Sequence, residues 1–172
     1  EKKTDVGPLI NAKAAEKTQY YVNLGKKEGA TLLYGGNHIK GKGFFYQPTI
    51  FTNVKPTMRI AQEEIFGPVV SILTAESLKD AINICNNIEY GLSSAIYTND
   101  ISNAMQAVES IEAGITYINS STIGAEVHLP FGGVKGTGHG REAGWTGIEE
   151  FSEEKTVYID YSKKLQKAQG ID

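Results

Sequence analysis

Between Asn11 and Gly29, apolar or small residues recur at Ala14, Thr18, Tyr21, Val22 and Gly25 with the period of a helix, and Asn11 is a preferred N-cap type. Gly29 is the expected stop. Thr31-Leu32-Leu33-Tyr34 is short and β-prone ahead of the Gly35-Gly36 turn, Gln47 to Phe51 reads as a second extended piece bounded by Pro48 and Pro56, and the glycine-rich stretch 35–46 reads as loop. After Pro68, Val69-Val70-Ser71-Ile72-Leu73 has the continuous apolar character of a buried strand. Ser77-Leu78-Lys79-Asp80 then fits a helix start with an acid three residues after the cap. The stripe Leu78, Ala81, Ile82, Cys85 and Ile88 is its expected buried face.

Gly91 is expected to stop that helix, and Ser93 to Thr98 to form the next strand. Ile101, Ala104, Met105, Val108 and Ile111 give a second amphipathic helix ended by Gly114, and Ile115 to Asn119 a third strand. Strand, helix, strand, helix, strand with short glycine-punctuated joints is the pattern of right-handed βαβ crossovers, so the spacing predicts an α/β fold with a parallel sheet covered by helices. Sheets of this kind place their sites beyond the carboxyl ends of strands, which directs attention to the segments after Leu73, Thr98 and Asn119.

The texture changes after Asn119. Residues 120–147 hold eight of the 19 glycines, two of the three histidines and the only Trp, with little periodicity, and so long a loop in a compact domain is usually functional. Lys155 to Tyr161 alternates and is β-prone, and needs a strand partner from elsewhere; Ser162 to Asp172 is polar and expected to fray.

A length of 172 residues suits one domain with an appendage, and 40% hydrophobic against 22% charged residues is the balance of a soluble globular chain. With 17 Lys+Arg against 20 Asp+Glu, net charge −3, there is no basic stripe to displace counterions from a phosphate backbone, so no nucleic-acid partner is expected. No apolar stretch approaches the ~20 residues needed to cross a bilayer, so no membrane association is expected either. The single cysteine, Cys85, excludes an intramolecular disulfide and makes a cytoplasmic location the default. The chain opens on Glu1-Lys2-Lys3-Thr4-Asp5 without an initiator Met, and the expectation is a piece of a longer polypeptide.

Phe131-Gly132-Gly133-Val134-Lys135-Gly136-Thr137-Gly138-His139-Gly140-Arg141-Glu142 invites comparison with phosphate-binding loops and fails both templates. A P-loop needs Gly-Lys-Ser/Thr in that order, and a dinucleotide fingerprint wants its third glycine where Arg141 stands. A turn-rich packed loop is the better reading. Cys85 sits on an apolar helix stripe, where burial raises a thiol's pKa and makes it inert. His38, His128 and His139 lack metal-ligand spacing, so no metal is expected. Ser120-Ser121-Thr122 has no evident base nearby and reads as hydrogen-bonding hydroxyls in a loop. Gln62-Glu63-Glu64-Ile65-Phe66-Gly67-Pro68 is open to two readings. It is either a turn carrying surface acids, or a carboxylate that accepts hydrogen bonds from both hydroxyls of a ribose with Phe66 against a planar heterocycle. Composition does not choose between them.

Several motifs together go further. Gly7-Pro8-Leu9-Ile10, Glu28-Gly29-Ala30, Gln62 to Pro68, Tyr90-Gly91-Leu92-Ser93, Gly114-Ile115-Thr116-Tyr117-Ile118-Asn119 and Pro130-Phe131-Gly132-Gly133-Val134-Lys135, with Gly138 to Glu142 beyond, resemble in order the NAD(P)-dependent aldehyde dehydrogenase superfamily. The resemblance implies the parallel-sheet catalytic-domain portion of that fold with a C-terminal oligomerisation strand. Residues 1–150 would be the C-terminal portion of the catalytic domain and 151–172 the oligomerisation-arm strand and tail, with the nucleotide-binding domain absent. It further implies oxidation of a small-molecule aldehyde to the acid with NAD or NADP, by a homodimer or homotetramer. The family's nucleophilic cysteine and general-base glutamate lie upstream of the Gly-Pro-Leu-Ile motif, so neither is in this sequence, no catalytic residue is assigned, and the chain alone is expected to be inactive. Cys85 does not occupy the nucleophile's motif.

By the same resemblance, Glu64 matches the carboxylate that holds the nicotinamide ribose and Phe66 the aromatic near the nicotinamide. Lys17 falls where some relatives use a lysine near the cofactor, while the Gln that some carry three residues earlier is Ala14 here. Phe131 matches the aromatic near the substrate tunnel. Ser121 to Leu129 corresponds to the loop that anchors the far end of the substrate. In relatives that oxidise acid semialdehydes, backbone N–H groups of a Gly-Ala pair and a hydroxyl bind the distal carboxylate, which points to Gly124, Ala125 and Ser121. Gly124 to Lys135 is most similar to the 2,5-dioxopentanoate (α-ketoglutaric semialdehyde) dehydrogenase branch. The rival expectation is a non-catalytic α/β interaction or regulatory module left by truncation.

Overall fold

Asn11 Oδ1 accepts a hydrogen bond from the Ala14 N–H at 2.9 Å, which caps α1 (Ala12–Glu28), and Gly29 at φ +96° closes the helix at the expected residue. The structure is a computed structural model and describes residues 4–124 and 126–164. The buried face of α1 carries Ala15, Thr18, Tyr21, Val22 and Gly25. Fully buried Thr18 stays satisfied because its hydroxyl donates to the Ala14 carbonyl at 2.8 Å.

Behind α1, β1 (Thr31–Tyr34) pairs antiparallel with β2 (Thr49–Thr52), with Thr31 opposite Thr52. The one-turn helix α2 (Arg59–Gln62) precedes β3 (Val69–Ser71), which pairs parallel with β2. Tyr21, Val22, Tyr46, Phe51, Met58 and Ile60 form the core between these elements. Gly25 lets α1 and α2 approach, since a Cβ there would meet Ile60 Cδ1 at 2.9 Å.

The second half runs α3 (Leu78–Asn86), β4 (Tyr90–Gly91), β5 (Ser93–Ile96), α4 (Ile101–Ser110), β6 (Ile115–Ile118), β7 (Val134–Lys135) and α5 (Gly144–Glu149). Ser77 caps α3 by accepting from the Asp80 N–H at 3.1 Å, and Asp80 in turn accepts from the Glu76 N–H at 3.0 Å. β5 and β6 pair in parallel across the α4 crossover, and the Ser94 and Thr116 hydroxyls meet at 3.0 Å between them. β4 pairs antiparallel with β7, Gly91 opposite Val134. The architecture is α/β, as the periodicity predicts.

Four expectations need correction. The three predicted parallel strands do not share one ladder: β3 gives its edge to β2, and only β5 and β6 form the expected crossover pair. A strand-helix-strand pattern fixes the handedness of a connection but not the adjacency of its strands. β3 is also only half-buried, with Val70 57% exposed. Gly91 and Gly114 do not end helices. α3 stops at Asn86 and α4 at Ser110, while both glycines serve close backbone approach: a Cβ on Gly91 would meet the Glu112 carbonyl oxygen at 2.5 Å, and one on Gly114 would overlap that of Gly132. Finally, Cys85 is exposed, because of its stripe only Ile82 is fully covered. Partial burial still pushes the thiol's pKa up, with Lys135 opposing the shift. Lys155 to Tyr161 forms no ladder with any described strand, and its side chains are exposed.

Candidate functional site

Glu63 and Glu64 are neighbours with opposite surroundings. Glu63 Oε1 accepts from Arg59 Nε at 2.5 Å, while its Oε2 accepts from Arg59 Nη2 at 2.9 Å and from the Tyr21 hydroxyl at 2.7 Å. The Arg59 guanidinium first and the Tyr21 hydroxyl second hold the Glu63 carboxyl below its usual range, and that hydrogen bond in turn raises Tyr21. Arg59 also donates from Nη1 to the Tyr20 hydroxyl at 2.9 Å, and its backbone N–H donates to Glu28 at 3.0 Å, so α2 is stitched to α1 on three residues. Glu64 is exposed and has no hydrogen bond or ion pair with a described residue.

Two residues on, Phe66 has φ +54° and is 79% exposed. A left-handed backbone on an aromatic residue is strained and holds only where neighbours impose it. Here Gly67 packs on α1 so tightly that a Cβ would overlap the Thr18 hydroxyl, and Pro68 accepts from the Thr49 N–H at 2.8 Å as β3 begins. Lys17, one turn before Tyr21 on α1, holds its ammonium 5.8 Å from the ring centroids of both Tyr21 and Phe66. Lys17 and Phe66 therefore meet at one corner, an aromatic ring with open surface and a cation near it, and Glu64, two residues before Phe66 in the chain, is exposed on the same turn. That donor set suits a planar heterocycle carrying a diol.

The second group lies past the carboxyl end of β6. Asn119, at φ +54°, accepts from the Thr98 N–H at 2.8 Å and donates to the Thr98 carbonyl at 2.9 Å, tying the ends of β5 and β6 together. A cavity of about 430 Å³ opens there, with Tyr117, Ser120, Gly124, Glu126 and Phe131 among its lining residues. The Tyr117 hydroxyl donates to the Gly124 carbonyl at 2.5 Å. Phe131 is locked by reciprocal backbone hydrogen bonds with Glu142 at 2.7 and 2.6 Å. Ser121 is exposed on the loop but does not line this cavity. Ala125 lies outside the described residues.

The glycine-rich stretch is only half-buried, and it lines a second cavity of about 320 Å³ together with Leu92, Glu150 and Phe151. Arg141 Nη1 donates to the carbonyls of Gly133 at 2.8 Å and Gly140 at 2.7 Å, filling the turn with a cation of the chain's own. Lys135 is likewise used internally. Its ammonium caps the end of α3 through the carbonyls of Asn86 at 2.7 Å and Ile88 at 3.3 Å, and pairs with Glu112 at 2.7 Å.

The sequence model described as "Aldehyde dehydrogenase family" matches residues 1–157. The chain belongs to the aldehyde dehydrogenase family. It is 43% identical over 159 residues to betaine aldehyde dehydrogenase of Rhizobium leguminosarum, covering 91% of this chain and 32% of that protein. It is 40% identical over 163 residues to alpha-ketoglutarate semialdehyde dehydrogenase of Haloferax volcanii, covering 91% and 34%. It superposes with a TM-score of 0.90 on the NAD+ complex of the aldehyde dehydrogenase from Bacillus cereus, at 40% identity, covering 94% of this chain and 33% of that one. The chain thus spans about a third of the length of the relatives it matches.

In this aldehyde dehydrogenase chain, the residues singled out from sequence fall into two groups: Lys17 with Phe66 and Glu64, and Gly124 with Phe131. Tyr117, Glu126 and the Tyr21–Glu63–Arg59 set were not singled out. Tyr117 sits near the carboxyl end of its strand, and Glu63 follows Arg59 at the four-residue spacing of a helix turn. Both signals are present in the sequence.

Proposed function

We propose that the chain is the carboxyl-terminal part of a longer polypeptide that oxidises an aldehyde to the carboxylic acid with NAD or NADP. In this reading residues 1–150 close the catalytic domain and 151–172 carry the strand of an oligomerisation arm that builds a homodimer or homotetramer. The nucleotide-binding domain, the nucleophilic cysteine and the general-base glutamate belong to the rest of that polypeptide, and this chain alone is inactive. A cytosolic setting accords with the single cysteine.

The observation that carries the reading is the Lys17–Phe66 approach on the turn that also carries the exposed Glu64. A nicotinamide bound at this corner would supply the acceptor for the hydride that leaves the substrate carbon. Glu64 accepts hydrogen bonds from the ribose hydroxyls, and Phe66 offers its ring to the heterocycle. Lys17 adds positive charge at the same corner. In the complete enzyme, Glu64→Gln is expected to impair cofactor engagement or hydride transfer with the fold intact; unchanged steady-state and single-turnover kinetics would remove Glu64 from the site.

For the substrate, we propose a carboxylated semialdehyde such as 2,5-dioxopentanoate, its distal carboxylate held by the backbone N–H groups of Gly124 and Ala125, with Phe131 against its chain. The likeness to the Haloferax semialdehyde enzyme supports this. A second reading rests on Glu126, which brings a carboxylate to a cavity also lined by the Tyr117 and Phe131 rings, a lining suited to a cationic distal group. The likeness to the Rhizobium betaine aldehyde enzyme accords with it. A panel of aldehydes on the complete enzyme separates them: the first reading expects the highest kcat/KM for the dicarboxylate precursor, the second for the quaternary ammonium aldehyde. No reduction of NAD+ or NADP+ with any aldehyde would overturn both.

A further inference from the structure

Resting on the reading of Glu64 and Phe66 as the nicotinamide-riboside corner, we propose that Tyr21, Glu63 and Arg59 are positioning residues for the cofactor. Together they set the Lys17 ammonium and the Glu64–Phe66 turn in the arrangement that receives it. Tyr21 belongs to two interactions at once. Its hydroxyl donates to Glu63 Oε2 at 2.7 Å, and its ring lies under the Lys17 ammonium at 5.8 Å, which is equally 5.8 Å from Phe66. Tyr21 is 8% exposed, so the core fixes its ring, and its hydroxyl therefore fixes where Glu63 sits. Glu63 is the residue at which α2 gives way to extended backbone, with φ −112° and ψ +147°, and its peptide leads directly into Glu64.

The Arg59 fork grips both oxygens of the same carboxylate, at 2.5 and 2.9 Å, and is itself tied to α1 through Tyr20 and Glu28. Bidentate charge-assisted pairs fix orientation as well as distance, which a lysine cannot do at this position. The chain thus anchors the first acid of the pair so that the second is presented free. Phe66, strained in the left-handed region, is held by its neighbours Ile65, buried in the core, and Gly67, packed on Thr18; Glu63 anchors the other end of the same short segment, so that Glu64 lies between two fixed points.

The test uses the complete enzyme and compares Tyr21→Phe, Arg59→Lys, the double variant and Glu64→Gln. Tyr21→Phe keeps the ring under Lys17 and removes only the hydroxyl; Arg59→Lys keeps the charge and removes the fork. Each is expected to raise the KM for the nicotinamide cofactor about three- to ten-fold with the KM for aldehyde little changed, beyond whatever melting temperature the lost hydrogen bonds to Glu63 cost. The double variant is expected to fall short of the product of the two, because both act through Glu63. A parallel rise in both KM values, or a loss of thermal stability without a cofactor effect, would make the set merely structural and overturn the proposal. If Glu64→Gln raises the cofactor KM or slows hydride transfer while Tyr21→Phe and Arg59→Lys do neither, the corner stands and this proposal falls. If Glu64→Gln is silent in cofactor binding and single-turnover hydride transfer, the reading of the corner falls and takes the proposal with it.

Discussion

The Lys17 ammonium lies 5.8 Å from the ring centroid of Phe66 and the same distance from that of Tyr21, joining a residue of the first helix to the turn that leads into β3. Removing the charge while keeping the chain length separates the cation from the packing. An exposed cation–π contact contributes about 0.5–1 kcal/mol, so Lys17→Met in the complete enzyme is expected to weaken cofactor binding by roughly two- to five-fold. Fluorescence titration with NADH or NADPH reads the shift, and unchanged affinity for both would sink the idea.

Gly114 packs against the glycine-rich stretch, where a Cβ would overlap the Gly132 carbonyl oxygen. Overpacking typically costs about 1–3 kcal/mol, and here the obstacle is backbone rather than a side chain that can swing aside. Gly114→Ala is expected to lower the melting temperature and the soluble yield. Gly7→Ala, with nothing within 4 Å of the added methyl, is the control and should do neither.

Helix starts were the most legible part of the fold. Asn11 and Ser77 are local devices, each closing a hydrogen bond three residues away, so sequence neighbours suffice to recognise them. Sheet order was not legible. That β3 pairs with β2 rather than β5 depends on which strand edges are free, a property no single strand carries. The corner was half legible. The motif pointed to Glu64 and Phe66, but the division of labour between two adjacent glutamates rests on Tyr21, 42 residues from Glu63 in the chain. In the glycine-rich stretch the failed phosphate templates were legible, but not why glycine is needed there: Gly132 lies against Gly114 and Arg141 and Gly133 against Thr137, close approaches that appear only in the folded chain.

Glu63 carries an acid-side prediction with a definite sign. Its carboxyl is held below the ordinary 4.5 in the folded chain, so the stability it lends is present above that value and lost as pH falls through the folded value. The first cause is the Arg59 guanidinium, the second the Tyr21 hydroxyl. Tyr21, held above 10.0, contributes at the other end: its share is present below that pH and lost as pH rises through its folded value. Melting temperature against pH is expected to fall less steeply below about pH 4.5 in Glu63→Gln than in the unmodified protein. Identical acid limbs would show that the carboxylate gains nothing from its partners.

Glu126 lines the cavity at the end of β6 and so sets the sign of charge that a substrate's far end meets. Neutralising it with Glu126→Gln removes a like charge for an anionic aldehyde and an opposite charge for a cationic one. At a partly solvated site this is worth on the order of 1 kcal/mol, so kcat/KM is expected to rise about five-fold for 2,5-dioxopentanoate and to fall by a similar factor for betaine aldehyde. The two directions are opposite, and no change in either would mean that the carboxylate points away from bound substrate.

Residues 151–161 present Phe151, Val157, Tyr158, Ile159 and Tyr161 to solvent, and Tyr158 is 94% exposed. Val157, Ile159 and Tyr161 alternate, so a strand formed here would gather them on one face, with unpaired N–H and C=O groups along both edges. An alternating apolar segment of this kind gains both ladder hydrogen bonds and burial by pairing with another strand. The isolated 172-residue chain is therefore expected to associate, with light scattering giving a mass above 18.7 kDa that grows with concentration. Ile159→Lys, which places a charge on the apolar face, and Tyr158→Pro, which removes a ladder donor, should each restore the monomer mass. If only the lysine variant does so, the association is burial of the face without a ladder; a monodisperse monomer from the unmodified chain would remove the segment's need for a partner altogether.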